Sequence, residues 1–147
     1  MLIGYVDVKK ACPVIFPYIN KVIIPMIAGH RICIYLLFFT QHIIDFITNM
    51  KNALEPEGYI VTVALAPKTS GEQAGLLYSA HDYPAIGGIA DLVLLMTYEW
   101  GYAFGPPMAT SPLANVRRVL EYGVSVINPD KILMGMPNYA YDWPLPF

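Results

Sequence analysis

Three short apolar runs, "YIVTVALA" at 59–66, "DLVLLMTY" at 91–98 and "KILMGMP" at 131–137, each give way to polar and aromatic residues. Rich in β-branched and aliphatic side chains and almost free of charge, they suit strands buried on both faces of a sheet. The intervals between them have the length of crossover connections rather than hairpins. This pattern predicts adjacent parallel strands at 60–66, 91–98 and 131–136, joined by right-handed crossovers.

Helical signals fill the intervals. Ile43, Phe46, Ile47, Met50 and Leu54 recur at helical spacing, with Thr48, Asn49, Lys51 and Asn52 between them, which predicts an amphipathic helix from residue 43. Pro56 and Gly58 in "EPEGY" end it. "PKTSGEQAG" is a polar loop, and "LLYSAHDYPAIGGI" is a short helix and turn. After the loop "GYAFGPP", Ser111 as N-cap and Pro112 in the first turn open a further helix. Its buried stripe is expected to be Leu113, Val116 and Leu120, with Arg117, Arg118 and Glu121 facing water, and "NPDK" turns the chain back. The order of elements is that of a slice of a parallel α/β barrel or open sheet. At 147 residues the chain is too short for a whole eight-stranded barrel, which takes about 250 residues.

Composition narrows the function. Charged residues make up 14% of the chain and the net charge is −2, against about 25% charged in a typical soluble domain. Nothing in this balance resembles a nucleic-acid-binding surface. Residues 1–54 carry Lys9, Lys10, Lys21, Arg31 and Lys51 against Asp7 and Asp45, or +3, while the remainder carries four bases against nine acids, or −5. The chain accordingly divides into an atypical apolar segment at 1–42 and an α/β domain at 43–147. Within the first, "VIIPMIAGHRICIYLLFF" is interrupted by Pro25, His30 and Arg31, and its longest clean run, Ile32 to Phe39, is far short of the roughly 20 residues of a membrane-spanning helix. It also lacks the layout of a signal peptide. Cys12 and Cys33, the two cysteines of the chain, read as buried or incidental thiols, with a single disulfide as the alternative, and no histidine is spaced for a metal. His30, His42 and His81 have no serine or cysteine partner in sequence and are read as structural.

In parallel α/β folds the chemistry sits at the carboxyl ends of the strands. Here those ends read "ALAPKTS", "MTYEW" and "MPNYAYDW". A tyrosine hydroxyl can donate to a carbonyl oxygen, a carboxylate can accept from an amide N–H, and an indole offers an apolar face to a sugar ring. Tyr98, Glu99 and Trp100 together suit an N-acetylated sugar. Tyr139, Tyr141 and Asp142 stand between two readings, cleft lining and packing. Lys68 and Ser70 supply loop polarity after the first strand.

The stretch "ADLVLLMTYEWGYAFGPPMATSPLANVRRVLEYGVSVINPDKILMGMPNYAYDW", with "LEPEGYIVTVALAPKTS" and "LLYSAHDYPAIGGIADL", resembles glycoside hydrolase family 18, and within it the bacterial spore cortex-lytic and sporulation glycosidase branch. The resemblance covers about residues 46–147. It implies a partial TIM (β/α)8 barrel holding strands 5 to 7, a glycan substrate containing N-acetylglucosamine, a place in the spore or cell envelope, no cofactor and no metal. It also implies substrate-assisted chemistry, in which the sugar's acetamido oxygen attacks the anomeric carbon while a glutamate protonates the leaving oxygen. By position Tyr98 would bond the acetamido oxygen, Glu99 would hold the acetamido group, Met96 would line the pocket, and Trp100 or Trp143 would stack on sugar. Tyr139, Tyr141 and Asp142 complete the implied substrate-binding set. The family's acid closes a D-x-x-D-x-D-x-E run at the end of the fourth strand. Where that run is expected the sequence reads "GHRICIYLLFF", without a carboxylate. An out-of-frame or degraded origin of residues 1–42 accounts for this departure. Two readings of function follow: a fragment of a glycosidase cleaving β-1,4 bonds at N-acetylglucosamine in spore-cortex peptidoglycan or a chitin-like glycan, dependent on the missing barrel portion for its acid, or a product without turnover, either an inactive remnant or a glycan-binding fragment.

Overall fold

A computed structural model describes residues 32–144. Cys12, His30, Asp7 and most of the apolar segment 1–42 lie outside the described residues. The fold below is that of the compact unit Ile34–Phe147. Its elements run α1 (Ile32–Leu54), a 3₁₀ turn (Glu55–Glu57), β1 (Thr62–Leu65), α2 (Leu76–Ser79), α3 (Tyr83–Ile89), β2 (Leu92–Leu95), α4 (Leu113–Val126), a second 3₁₀ turn (Pro129–Lys131) and β3 (Ile132–Met134).

The three expected strands are present, adjacent and parallel in the order β1-β2-β3. Register pairs Val63 with Val93 and Leu65 with Leu95 on one side, and Val93 with Ile132 and Leu95 with Met134 on the other. Val63, Leu65, Val93, Leu95 and Ile132 pack with Ile47 of α1, Ile86 of α3 and Val119 of α4 in one core, while Met134 at the end of β3 is exposed. The opposite face is only partly covered: Thr62, Ala64 and Leu133 are exposed. The expectation of strands buried on both faces is therefore corrected for β1 and β3. Their apolar pattern is that of a two-sided sheet, and the helices pack on one side.

α1 starts at Ile32, eleven residues before the expected start at 43. Its buried stripe is also rotated. Ile47 is buried and Ile43, Ile44 and Leu54 pack against the core, while Phe46 and Met50 are exposed. The rotation brings Lys51 against Asp91, whose Oδ1 accepts from Lys51 Nζ at 2.5 Å and whose Oδ2 accepts from the Val61 N–H at 2.7 Å. One carboxylate thus ties α1, the entry to β1 and the entry to β2. The bond from Lys51, then that from Val61, holds the Asp91 carboxyl below its ordinary range. A depressed carboxylate contributes stability present above its unfolded value and lost as pH falls through the folded one. Asp91→Asn is expected to lower the melting temperature at pH 7, with the deficit shrinking below about pH 4. Melts at pH 7 and pH 3 showing a constant deficit would contradict this.

Two expectations about α4 are corrected. Ser111 does not cap it: Pro112 occupies that position with no side-chain cap, and Ser111 Oγ donates instead to the carbonyl of Thr97. Leu113 is exposed, and the buried stripe is Val116, Val119 and Gly123 with Leu120 half-buried. Helical side chains tilt toward the N-terminus, which carries Leu113 off the end of a sheet whose strands are three and four residues long. A cap that sequence analysis missed is Asp82, whose Oδ1 accepts from the Ala85 N–H at 2.9 Å at the start of α3. At the other end of α3, Lys131 Nζ donates to the carbonyls of Gly87 and Ala90 at 3.0 and 2.9 Å, satisfying groups the helix leaves open.

Candidate active site

The carboxyl ends of β2 and β3 are laced together before the polar residues begin. The Gly135 N–H donates to the Leu95 carbonyl at 2.9 Å, and Thr97 Oγ1, fully buried, donates to the Gly135 carbonyl at 2.7 Å. Met96 follows β2 with its N–H on the Leu65 carbonyl at 3.0 Å and its side chain half-buried. Tyr98 lies over Gly135 so closely that a Cβ there would be 2.7 Å from Tyr98 Cε1. The loop beyond is closed by Ser111 Oγ on the Thr97 carbonyl and by the Trp100 N–H on the Thr110 carbonyl at 3.1 Å.

Glu99 sits at the turn of this loop with φ of 66°, the only left-handed non-glycine residue among those described. Such a conformation costs about 1–3 kcal/mol outside glycine and is held by its surroundings. Two phenols meet the Glu99 carboxylate. Tyr139 donates to Oε1, and Tyr141 donates to Oε1 at 3.0 Å with Oε2 at 3.3 Å. The carboxylate in turn pushes the Tyr139 hydroxyl up to about 12, chiefly through that hydrogen bond, and raises Tyr141 in the same way.

Tyr139, Tyr141 and Trp143 alternate along "NYAYDW" and form an aromatic ladder leading away from Glu99. The two tyrosine rings meet edge to face at 5.8 Å, and Tyr141 and Trp143 are 6.4 Å apart. Trp143 Nε1 is buried with no hydrogen-bond partner among the described residues. The structure therefore brings together Glu99, Tyr139, Tyr141 and Trp143, with Tyr98 alongside Gly135. It does not bring Trp100 to this ladder: that ring packs against the hydrophobic core. Asp142 is exposed.

At the end of β1 the structure holds a cluster that sequence analysis read as loop polarity. Lys68 is 4% exposed, its Nζ on the His81 carbonyl at 3.1 Å. Burial lowers its ammonium from the ordinary value. The fully buried Tyr83 hydroxyl donates to the Ala66 carbonyl at 2.6 Å and accepts from the Lys68 N–H at 3.0 Å, and His81 Nδ1 accepts from the Ala66 N–H at 2.9 Å. Ser70 is exposed. Among the described residues no group of three or more His, Cys, Asp or Glu is arranged to hold a metal ion, and no helix is long and apolar enough to cross a membrane.

Residues 39–145 match the family described as Glycosyl hydrolases family 18. The chain is 50% identical over 103 residues to the cortical fragment-lytic enzyme of Bacillus subtilis (strain 168), covering 70% of this chain and 24% of that enzyme. It superposes on the crystal structure of the Bacillus megaterium QM B1551 spore cortex-lytic enzyme SleL with a TM-score of 0.68 at 51% identity, covering 74% of this chain and 24% of that one. The Bacillus cereus spore cortex-lytic enzyme SleL gives a TM-score of 0.70 at 47% identity, covering 74% of this chain and 25% of that one. The chain thus spans about a quarter of the length of these relatives.

Proposed function

Because the chain belongs to glycosyl hydrolases family 18, we propose that it carries the amide-holding half of a glycosidase site for N-acetylglucosamine-containing glycan of the spore-cortex kind. Its three strands correspond in this reading to the fifth, sixth and seventh of an eight-stranded barrel. The observation that carries it is the Glu99 carboxylate, fixed at the carboxyl ends of β2 and β3 by two phenols. Glu99 accepts the acetamido N–H of the sugar and turns the acetyl oxygen toward the anomeric carbon. Positioning of this kind removes much of the entropy cost of the attack. The hydroxyl of Tyr98, whose ring lies over Gly135, donates to the same acetyl oxygen as it becomes the nucleophile. Trp143 stacks at the far end of the aromatic ladder.

What the reaction still requires is a proton for the leaving oxygen, a contribution of about a hundredfold to ten-thousandfold in rate. The sequence contains no D-x-x-D-x-D-x-E run. In this reading the chain by itself binds glycan without turning it over, and turnover depends on an acid from the remainder of a barrel. Calorimetry with an N-acetylglucosamine trimer is expected to show binding that Glu99→Ala weakens about tenfold, the value of one hydrogen bond to a charged group. Equal affinity of the two proteins would overturn the assignment of Glu99. Hydrolysis of a chromogenic N-acetylglucosamine oligomer is expected to stay at background. Reproducible hydrolysis abolished by Glu99→Gln would overturn the division of labour and make Glu99 itself the acid.

A further inference from the structure

The ladder residues Tyr139 and Tyr141 look at first like sugar contacts, yet their hydroxyls are already engaged. A phenol has one proton to give. Tyr139 gives its proton to Glu99 Oε1, and Tyr141 points its own at the same oxygen, 3.0 Å away, with Oε2 at the longer distance of 3.3 Å. Neither can donate to a ligand without releasing the carboxylate. Each carboxylate oxygen accepts about two hydrogen bonds, so Oε1 is filled, while Oε2 takes only the longer branch of the shared Tyr141 bond and keeps room for one more donor. The edge-to-face packing of the two rings fixes the spacing of the two donors. Glu99 itself is exposed and left-handed, a residue whose side chain would otherwise be free to swing and whose backbone would otherwise relax.

We propose that Tyr139 and Tyr141 are positioning residues, a two-phenol clamp that fills Oε1 of Glu99 and leaves room on Oε2 for the ligand's amide N–H. The clamp rests on the glycan reading above only for the identity of that ligand. It leaves on Oε2 an acceptor for a ligand N–H, and nothing on the clamp offers a competing donor. The phenol oxygens, having spent their protons, can still accept from a sugar hydroxyl. Charged neighbours do not supply an alternative partner for the tyrosines: the groups acting on Tyr139 are Glu99, Tyr141 and Tyr98, and on Tyr141 only Glu99.

The test uses the whole 147-residue chain with tyrosine labelled by carbon-13 at Cζ, the Tyr139 resonance being assigned by its loss in Tyr139→Phe. At pH 10.5 Tyr139 is expected to remain a phenol in the parent protein. In Glu99→Gln it should be about three-quarters ionised, as for an ordinary tyrosine of pKa about 10. An unchanged Tyr139 signal in Glu99→Gln would overturn the clamp whatever the ligand. The second arm measures affinity for an N-acetylglucosamine trimer. Tyr141→Phe is expected to weaken it about three- to tenfold, one hydrogen bond's worth. Unchanged affinity would overturn the part of Tyr141 in the clamp. If the parent chain does not bind the trimer while Tyr139 still responds to Glu99→Gln, the clamp stands and the glycan reading fails.

Discussion

Tyr83→Phe is expected to destabilise the chain by about 2–3 kcal/mol at neutral pH, since it strips a buried acceptor from the Lys68 N–H and a buried donor from the Ala66 carbonyl, and each orphaned group costs about 1–3 kcal/mol. The ring itself, stacked on Tyr122 at 5.3 Å, is unchanged by the substitution, so the loss isolates the hydroxyl. Burial, ahead of the neighbouring groups, pushes the Tyr83 hydroxyl up to about 12. A group whose pKa is raised by folding contributes stability that is intact below its unfolded value, about 10, and is lost as pH climbs through the folded one. Over that window the parent protein should lose up to about 3 kcal/mol through Tyr83, a loss that phenylalanine cannot suffer. Lys68 acts with the opposite sign, because its ammonium is depressed by burial and its neutralisation relieves the folded state. Comparing the two proteins removes the lysine, which is common to both. Urea midpoints at pH 7, 10 and 11.5 should show the gap between parent and variant narrowing as pH rises; a gap of constant size would sink the argument.

That the Tyr83 cluster went unread in the sequence has a physical cause. Lys68 follows a strand in a run of loop residues, where a lysine is ordinarily solvated. Its burial depends on a carbonyl thirteen residues on, that of His81, and no local pattern announces such a partner. The parallel sheet, by contrast, was legible because short apolar runs and crossover-length intervals are local properties. The same distinction divides the site. Tyr98, Glu99, Tyr139, Tyr141 and Trp143 were recognisable as residues of the right chemistry after strands. Their pairing was not, since it depends on register. Leu95 lies opposite Met134, so a few residues further along each strand Glu99 meets Tyr139. A slip of one position would turn the tyrosines to the other face. The misjudged face of α1 is of the same kind: periodicity identified the helix, but which of its apolar residues meet the core, Ile43, Ile44, Ile47 and Leu54, is settled by tertiary packing.

Gly135 is where register and site chemistry meet, and its replacement by alanine should have the largest effect of all. A Cβ there would stand 2.8 Å from the Leu95 carbonyl oxygen and 2.7 Å from Tyr98 Cε1. The ring could swing away, but the carbonyl could not, because it already accepts the N–H groups of Gly135 and Thr97, both at 2.9 Å. Moving β3 outward instead would break the bond from Thr97 Oγ1 to the Gly135 carbonyl and carry Tyr139 and Tyr141 away from Glu99. Overpacking against backbone costs about 1–3 kcal/mol and occasionally more. The lost ladder bonds add to that, so Gly135→Ala is expected to lower stability by about 3 kcal/mol or more. The small gain from a stiffer unfolded chain, about 0.4–1 kcal/mol, does not offset it. The double variant with Tyr98→Ala separates the two contacts. If the ring were the whole obstacle, removing it would restore the urea midpoint to that of Tyr98→Ala alone. Because the carbonyl remains, only partial recovery is expected. The Tyr139 resonance of the labelled single variant should shift toward that of Glu99→Gln as the strand carrying the clamp moves off its partner. Gly135→Ala with parental stability would show that the ends of β2 and β3 are not held as tightly as these distances require.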